Sequence, residues 1–98
     1  MQYEIKQNGT QLTAAVKGRL DTGTAPELEK ALKPLLSETE ELILDFAELE
    51  YISSAGLRVI MQAHMNLRMG GRTRVIHCNA VVKEVFSITG LTNVVSVE

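Results

Sequence analysis

The chain has one cysteine, Cys78, no tryptophan, two prolines and 4% aromatic residues in 98. A single thiol makes no intrachain disulfide, and without clustered ligands it fails the spacing of a structural metal site. No apolar run approaches the ~18 residues that span a bilayer, and the N-terminus lacks a charged-then-apolar signal. A cytoplasmic protein is therefore expected. Positive charge is also short. The net charge of −2 argues against a duplex nucleic-acid binder, which carries a basic patch or stripe. Phosphate-loop and dinucleotide glycine patterns are absent. No carboxylates pair at a telling spacing, and Glu40-Glu41 reads as a solvated run. His64 and His77 have no acid or nucleophile beside them and read as packing or surface residues. Cys78 reads as buried and inert. No catalytic residue, no metal and no cofactor of the chain's own is expected.

What remains is an ordinary globular composition, 45% hydrophobic and 22% charged. One domain over residues 1–98 is expected, burying roughly 60–65% of its unfolded surface. Charge divides unevenly. Residues 1–49 carry nine acids and five bases, residues 50–98 three acids and five bases. Four of the later bases, Arg58, Arg68, Arg72 and Arg74, bracket one helical segment.

Alternation at Tyr3 and Ile5 predicts a strand over 2–7. Asn8-Gly9 predicts a tight turn into a second strand through Leu12, Ala14 and Val16. Gly18 to Thr24 reads as a loop, with Thr22 or Thr24 capping a helix whose first turn holds Pro26. Ala25, Leu28, Ala31, Leu32, Leu35 and Leu36 share a helical face, with a kink or early end at Pro34. Leu42 to Phe46 is apolar on both faces and predicts a central strand covered on both sides. After Ser53-Ser54, a helix is expected from Ala55 to Met69, stopped by Gly70-Gly71. A strand over 74–77, a helix over 80–88 capped by Asn79 and ended by Gly90, and a strand over 93–97 complete the chain. The order β-β-α-β-α-β-α-β predicts an α/β fold: one mixed sheet of about five strands, an N-terminal hairpin then βαβ units, packed with about three helices.

One segment stands apart. Tyr51-Ile52-Ser53-Ser54-Ala55-Gly56-Leu57-Arg58 sets two hydroxyls where a buried strand meets a helix N-terminus. One of those serines can be a plain cap. The same geometry can instead hold a phosphate on Ser54, because the first turn has unpaired N–H groups and partial positive charge. On the helical wheel Leu57, Val59, Ile60, Ala63 and Leu67 form the core arc. Arg58, Met65 and Met69 lie opposite, with Met61 and Arg68 at the border. Arginine with methionine on an exposed face is adaptable contact surface.

The chain resembles the STAS-domain family of bacterial anti-sigma-factor antagonists, nearly end to end from Ile5 to Val97. Three segments carry the resemblance: Gly18 to Ala25 (GRLDTGTA), Leu44 to Leu57 (LDFAELEYISSAGL), and Val82 to Leu91, ending FSITGL. The resemblance implies a partner switch. The unphosphorylated antagonist binds an anti-sigma factor that is also a serine kinase, and the sigma factor is freed. Phosphorylation of the loop serine ends that binding, and a metal-dependent serine phosphatase resets it. ATP and Mg2+ then belong to the kinase. Ser54 matches the acceptor. Asp21 matches an acid near it, and Thr24 lies in the same loop. Ser53 stands where the family's commonest form has aspartate, and Ala55 where serine or threonine is common, so Ser53 is the alternative acceptor. The expected partner-binding surface comprises Asp21, Thr24, Ser53, Ala55, Gly56, Leu57, Arg58, Met61 and Met65. The free protein is expected to be monomeric, with no direct nucleic-acid contact and no membrane insertion. A second role open to the same family is a fixed STAS subunit regulating or assembling a membrane transporter complex.

Overall fold

The expected hairpin forms. In the computed structural model, which describes residues 1–98, β1 (Gln2–Asn8) returns antiparallel as β2 (Gln11–Leu20). Gly9 turns the chain at φ +64, the left-handed value such a turn needs. The remaining elements are α1 (Ala25–Leu32), β3 (Glu41–Ile52), α2 (Ser54–Met65), β4 (Arg72–Ile76), α3 (Ala80–Ile88) and β5 (Ser96–Val97).

Strand order follows chain order, β1-β2-β3-β4-β5, with every pair after the hairpin parallel. Right-handed crossovers between sequential parallel neighbours put all the helices on one face of the sheet. The packing agrees. Leu12, Ala14, Val16, Leu42, Leu44, Phe46 and Val75 share one core with Leu28 and Leu32 of α1, Val59 and Ile60 of α2, and Val82 and Phe86 of α3. The expectation that β3 is covered on both sides is thus corrected. Its other face lies in rows with Thr13 and Arg74 beside Ile43, and Ala15 and Ile76 beside Asp45. Ile43 is still only 8% exposed, flanked by the stem of Arg74. Ion pairs lace this face: Arg72 and Arg74 with Glu41, Arg74 with Glu98, and Lys17 with Glu48. Pairs as exposed as these each stabilise by at most about 1 kcal/mol, so the face is a solvated polar surface.

Several boundaries move from their predicted places. Gly18, Arg19 and Leu20 read as loop but pair with Leu49, Tyr51 and Ile52. Two register shifts and a positive φ of 89° at Gly18 let the strand continue. The long partner strand, which runs on to Ile52, supplies the hydrogen bonds that local composition did not reveal. α1 ends at Leu32 and tightens into a 3-10 turn over Lys33–Glu38, the early end expected of Pro34. α2 begins one residue earlier and ends four residues earlier than predicted. The Asn66 side chain caps it by donating to the Gln62 carbonyl, and Gly70 serves the following turn instead. β4 starts at Arg72 and stops before His77, whose φ is +62. A 3-10 turn over Leu91–Asn93 shortens β5 to two residues.

Candidate functional site

In open α/β sheets the crevice beyond the carboxyl ends of the parallel strands is the usual site of recognition. Here β2 and β3 end side by side. Arg19 lies opposite Tyr51, Leu20 opposite Ile52, and the Ser53 N–H donates to the Leu20 carbonyl at 2.9 Å. The 21–24 loop and the Ser53-Ser54 junction, far apart in sequence, therefore meet at one edge.

The 21–24 loop is built around one carboxylate. Asp21 Oδ1 accepts from the N–H groups of Gly23 at 3.0 Å and Thr24 at 3.2 Å, while its carbonyl accepts from Ala25 N at 2.8 Å. Thr24 occupies the N-cap position of α1, but its side chain does not cap the helix. Its hydroxyl instead accepts from Asp21 N at 2.9 Å and lies 2.8 Å from the Arg19 carbonyl. Partial desolvation opposes ionisation of Asp21. Hydrogen bonds from Thr24 and Gly23 and the charge of Arg19 outweigh it and hold Asp21 below the ordinary carboxylate range. The loop is an ionised, self-bonded wall.

The Ser53-Ser54 junction is different. Ser53 has the extended backbone of an N-cap, and its carbonyl accepts from Leu57 N at 3.0 Å. Its side chain caps nothing, and its Oγ is buried with no partner. No group in the chain accepts from the N–H groups of Ser54, Ala55 or Gly56. Ser54, the first residue of α2, is exposed. The two hydroxyls therefore differ completely in access.

Gly56 explains how α2 reaches this edge. A Cβ there would sit 2.9 Å from both the carbonyl oxygen and Cγ of Leu20, and 2.8 Å from Ile52. Only a residue without a side chain lets the helix lie so close to the strand ends. Gly56 and Leu57 are both buried, the latter 5% exposed, and Ala55 is half-buried. Gly56 and Leu57 hold the site from beneath and offer it no side-chain surface. The exposed side of α2 carries Ser54, Arg58, Met61 and Met65, at spacings of four, three and four that align on one stripe. Arg58 is exposed, Met61 half-buried, and Met65 is 74% exposed. Met69, predicted on the same face, falls beyond the helix end.

Two contacts lay outside the sequence reading. Arg19 stacks over the Tyr51 ring at 4.5 Å and reaches Asp21 at 3.9 Å. Asn79, expected only as a cap, accepts from Val82 N at 2.8 Å and also donates to the Leu49 carbonyl at 3.1 Å. The first was hidden by taking Arg19 as loop; the alternation of Leu20 with Val16 was the available signal. The histidines lie elsewhere. His64 Nδ1 is 2.8 Å from the hydroxyl of buried Thr73, and His77 Nδ1 is 3.2 Å from Asp45. Burial pushes the Cys78 thiol up, against the weaker pull of Lys83. No three His, Cys, Asp or Glu side chains converge as metal ligands, and no helix is long and apolar enough to cross a membrane.

The sequence and the fold have known counterparts. An anti-sigma-B factor antagonist of Listeria monocytogenes is 31% identical over 98 residues, covering 97% of this chain and 86% of its own. Its Bacillus subtilis namesake is 26% identical over 95 residues, covering 96% and 87%. Among solved structures, the anti-sigma factor antagonist SpoIIAA in its unphosphorylated form superposes with a TM-score of 0.87 at 17% identity, over 99% of this chain and 88% of that one. The phosphorylated form of SpoIIAA, from Bacillus, gives 0.78 at 16% identity, over 99% and 91%. The family profile of the STAS domain matches residues 2–98, and the chain belongs to that family.

Proposed function

We propose that the chain is an anti-sigma-factor antagonist working as a phosphorylation-controlled partner switch, with Ser54 as acceptor. The observation that carries this reading is the split between the two serines. A kinase must take the acceptor hydroxyl into its own active site, and Ser54 is exposed while the Ser53 oxygen is buried. The names of the relatives support the role, and the resemblance of this fold to SpoIIAA in both forms supports a fold that carries the phosphate without unfolding.

In the transfer, Ser54 Oγ attacks the γ-phosphorus of ATP. The bond to ADP breaks, and the hydroxyl proton passes to a base of the kinase. A phosphatase reverses the state by adding water across the Oγ–phosphorus bond. The phosphate adds about −1.5 to −2 charge beside the stripe of Arg58, Met61 and Met65. A partner docking there must desolvate it, and without a matched cation the penalty reaches several kcal/mol. Each ~1.4 kcal/mol is tenfold in affinity, so one phosphate suffices to turn binding off. The anti-sigma factor, its kinase activity and the opposing phosphatase are the partners this reading requires.

The test is intact-mass spectrometry and peptide mapping after incubation with the cognate anti-sigma kinase and ATP. One phosphate on Ser54 is expected, absent from Ser54→Ala and retained by Ser53→Ala. Ser54→Ala should bind the partner whether or not ATP is present. A phosphate mapped to Ser53, or none with a demonstrably active kinase, overturns the assignment.

A further inference from the structure

The chain has five arginines, and four of them already face a carboxylate. Arg19 pairs with Asp21, Arg68 with Glu40, Arg72 with Glu41, and Arg74 with Glu41 and Glu98. Arg58 alone has no carboxylate within 4 Å. It is exposed, and it sits one helical turn beyond Ser54 on the same stripe. Side chains four apart on a helix face one another about 6 Å apart at Cβ, within easy reach of a guanidinium. A phosphoserine oxygen and a guanidinium make strong charge-assisted bonds, often two at once.

We infer that Arg58 is the internal counter-ion of phosphorylated Ser54, so that modification both adds a phosphate to the stripe and withdraws its one cation. This deepens the reading of Ser54 as acceptor and rests on it. In the unmodified chain the guanidinium is free for a carboxylate of the partner. In the modified chain it is folded back over the first turn of α2. The partner then meets a phosphate and also loses an arginine. A phosphate that acted by repulsion alone would leave Arg58 in place.

The experiment installs phosphoserine at position 54 of the full chain during translation, so no kinase is involved. Phosphorus NMR then follows the second phosphate ionisation, normally near pH 6. A neighbouring cation favours the dianion, so the unsubstituted chain should titrate roughly half a unit to one unit below Arg58→Gln, a roughly three- to tenfold difference in proton affinity. Arg58→Lys should recover most of the shift, and added salt should shrink it. The helix N-terminus and Asp21 act equally in all three proteins and cancel in the comparison. Superimposable titrations of the unsubstituted chain and Arg58→Gln overturn the inference. Because the phosphate is placed without a kinase, that failure would leave the Ser54 assignment standing. A kinase that ignores Ser54 would conversely remove the switch and leave the ion pair intact.

Discussion

Two strand-to-helix junctions lie at the same edge of the sheet and are built in opposite ways. At the β4–α3 junction Asn79 caps Val82 N–H and holds the Leu49 carbonyl, a side chain bonded on both sides. At the β3–α2 junction Ser53 fills the equivalent cap position and bonds nothing through its side chain. The 21–24 loop beside it is likewise self-bonded, with Asp21 and Thr24 bonded to one another and to the backbone, although Thr24 does not cap α1. The bare junction is therefore flanked by two saturated ones. An N-cap side chain is normally worth about 1 kcal/mol, so its disuse at Ser53 leaves local stability unclaimed. Rigidity at that edge is supplied from below by Gly56, Leu57 and Ile52, and the first-turn N–H groups of α2 are left open. Under the proposed function this site accepts and releases a phosphate, and open donors serve that better than donors already bound to the chain.

The largest expected effect falls on the packing that lets the bare junction stand. Gly56→Ala places a methyl group 2.9 Å from a backbone carbonyl oxygen and 2.8 Å from Ile52. Ile52 is part of the core, so α2 itself must shift. A loss of about 1–3 kcal/mol is expected in urea unfolding. An unchanged midpoint would mean that α2 does not lie against Leu20 as described, and the contrast between the junctions would lose its basis.

A smaller loss is expected from Asn79→Ala, which removes a helix cap and a tie to β3 together. About 1–2 kcal/mol should disappear, with the unfolding slope unchanged. Asn79→Ser sharpens the point. Serine can keep the cap to Val82 but is too short to keep the reach to Leu49, so it should fall between the two.

These junctions also mark how far the sequence could be read. The element order, the hairpin turn at Asn8-Gly9, the break at Pro34 and the cap at Asn79 were all legible, because each is set by residues within a turn of one another. Strand lengths were not. Gly18 to Leu20 and Ala47 to Ile52 look irregular locally and become strand only by pairing with each other. The one-sided sheet was missed for a similar reason: Ile43 is buried by neighbours in register, and a run of apolar residues does not say whether helices or long polar stems cover it. At the site, Arg58 and Met65 on the exposed face and Met61 at its border were visible as helical period; Ser54 joins their stripe because α2 starts one residue earlier than predicted. The burial of Leu57 was legible too, from its place on the core arc. The close seating of Gly56 and the stranded hydroxyl of Ser53 depend on how closely α2 approaches β2, which no local pattern encodes.

The smallest expected effect is the most discriminating. Ser53→Ala removes a hydroxyl that occupies a cap position, so its sequence context predicts a loss of about 1 kcal/mol. Its surroundings predict otherwise. The oxygen is buried with no partner, and deleting such a group leaves no bond unmade and removes its desolvation cost. The expected change is therefore between zero and a gain of about 1 kcal/mol in unfolding free energy. Measured beside Asn79→Ala, the two substitutions should differ in sign although both remove a cap-position side chain. If Ser53→Ala instead loses as much as Asn79→Ala, the hydroxyl caps α2 in solution. The two junctions would then be alike, and the openness of the Ser54 turn would need another cause. If the signs differ, the junction that carries the exposed serine is the one whose cap gives the helix nothing.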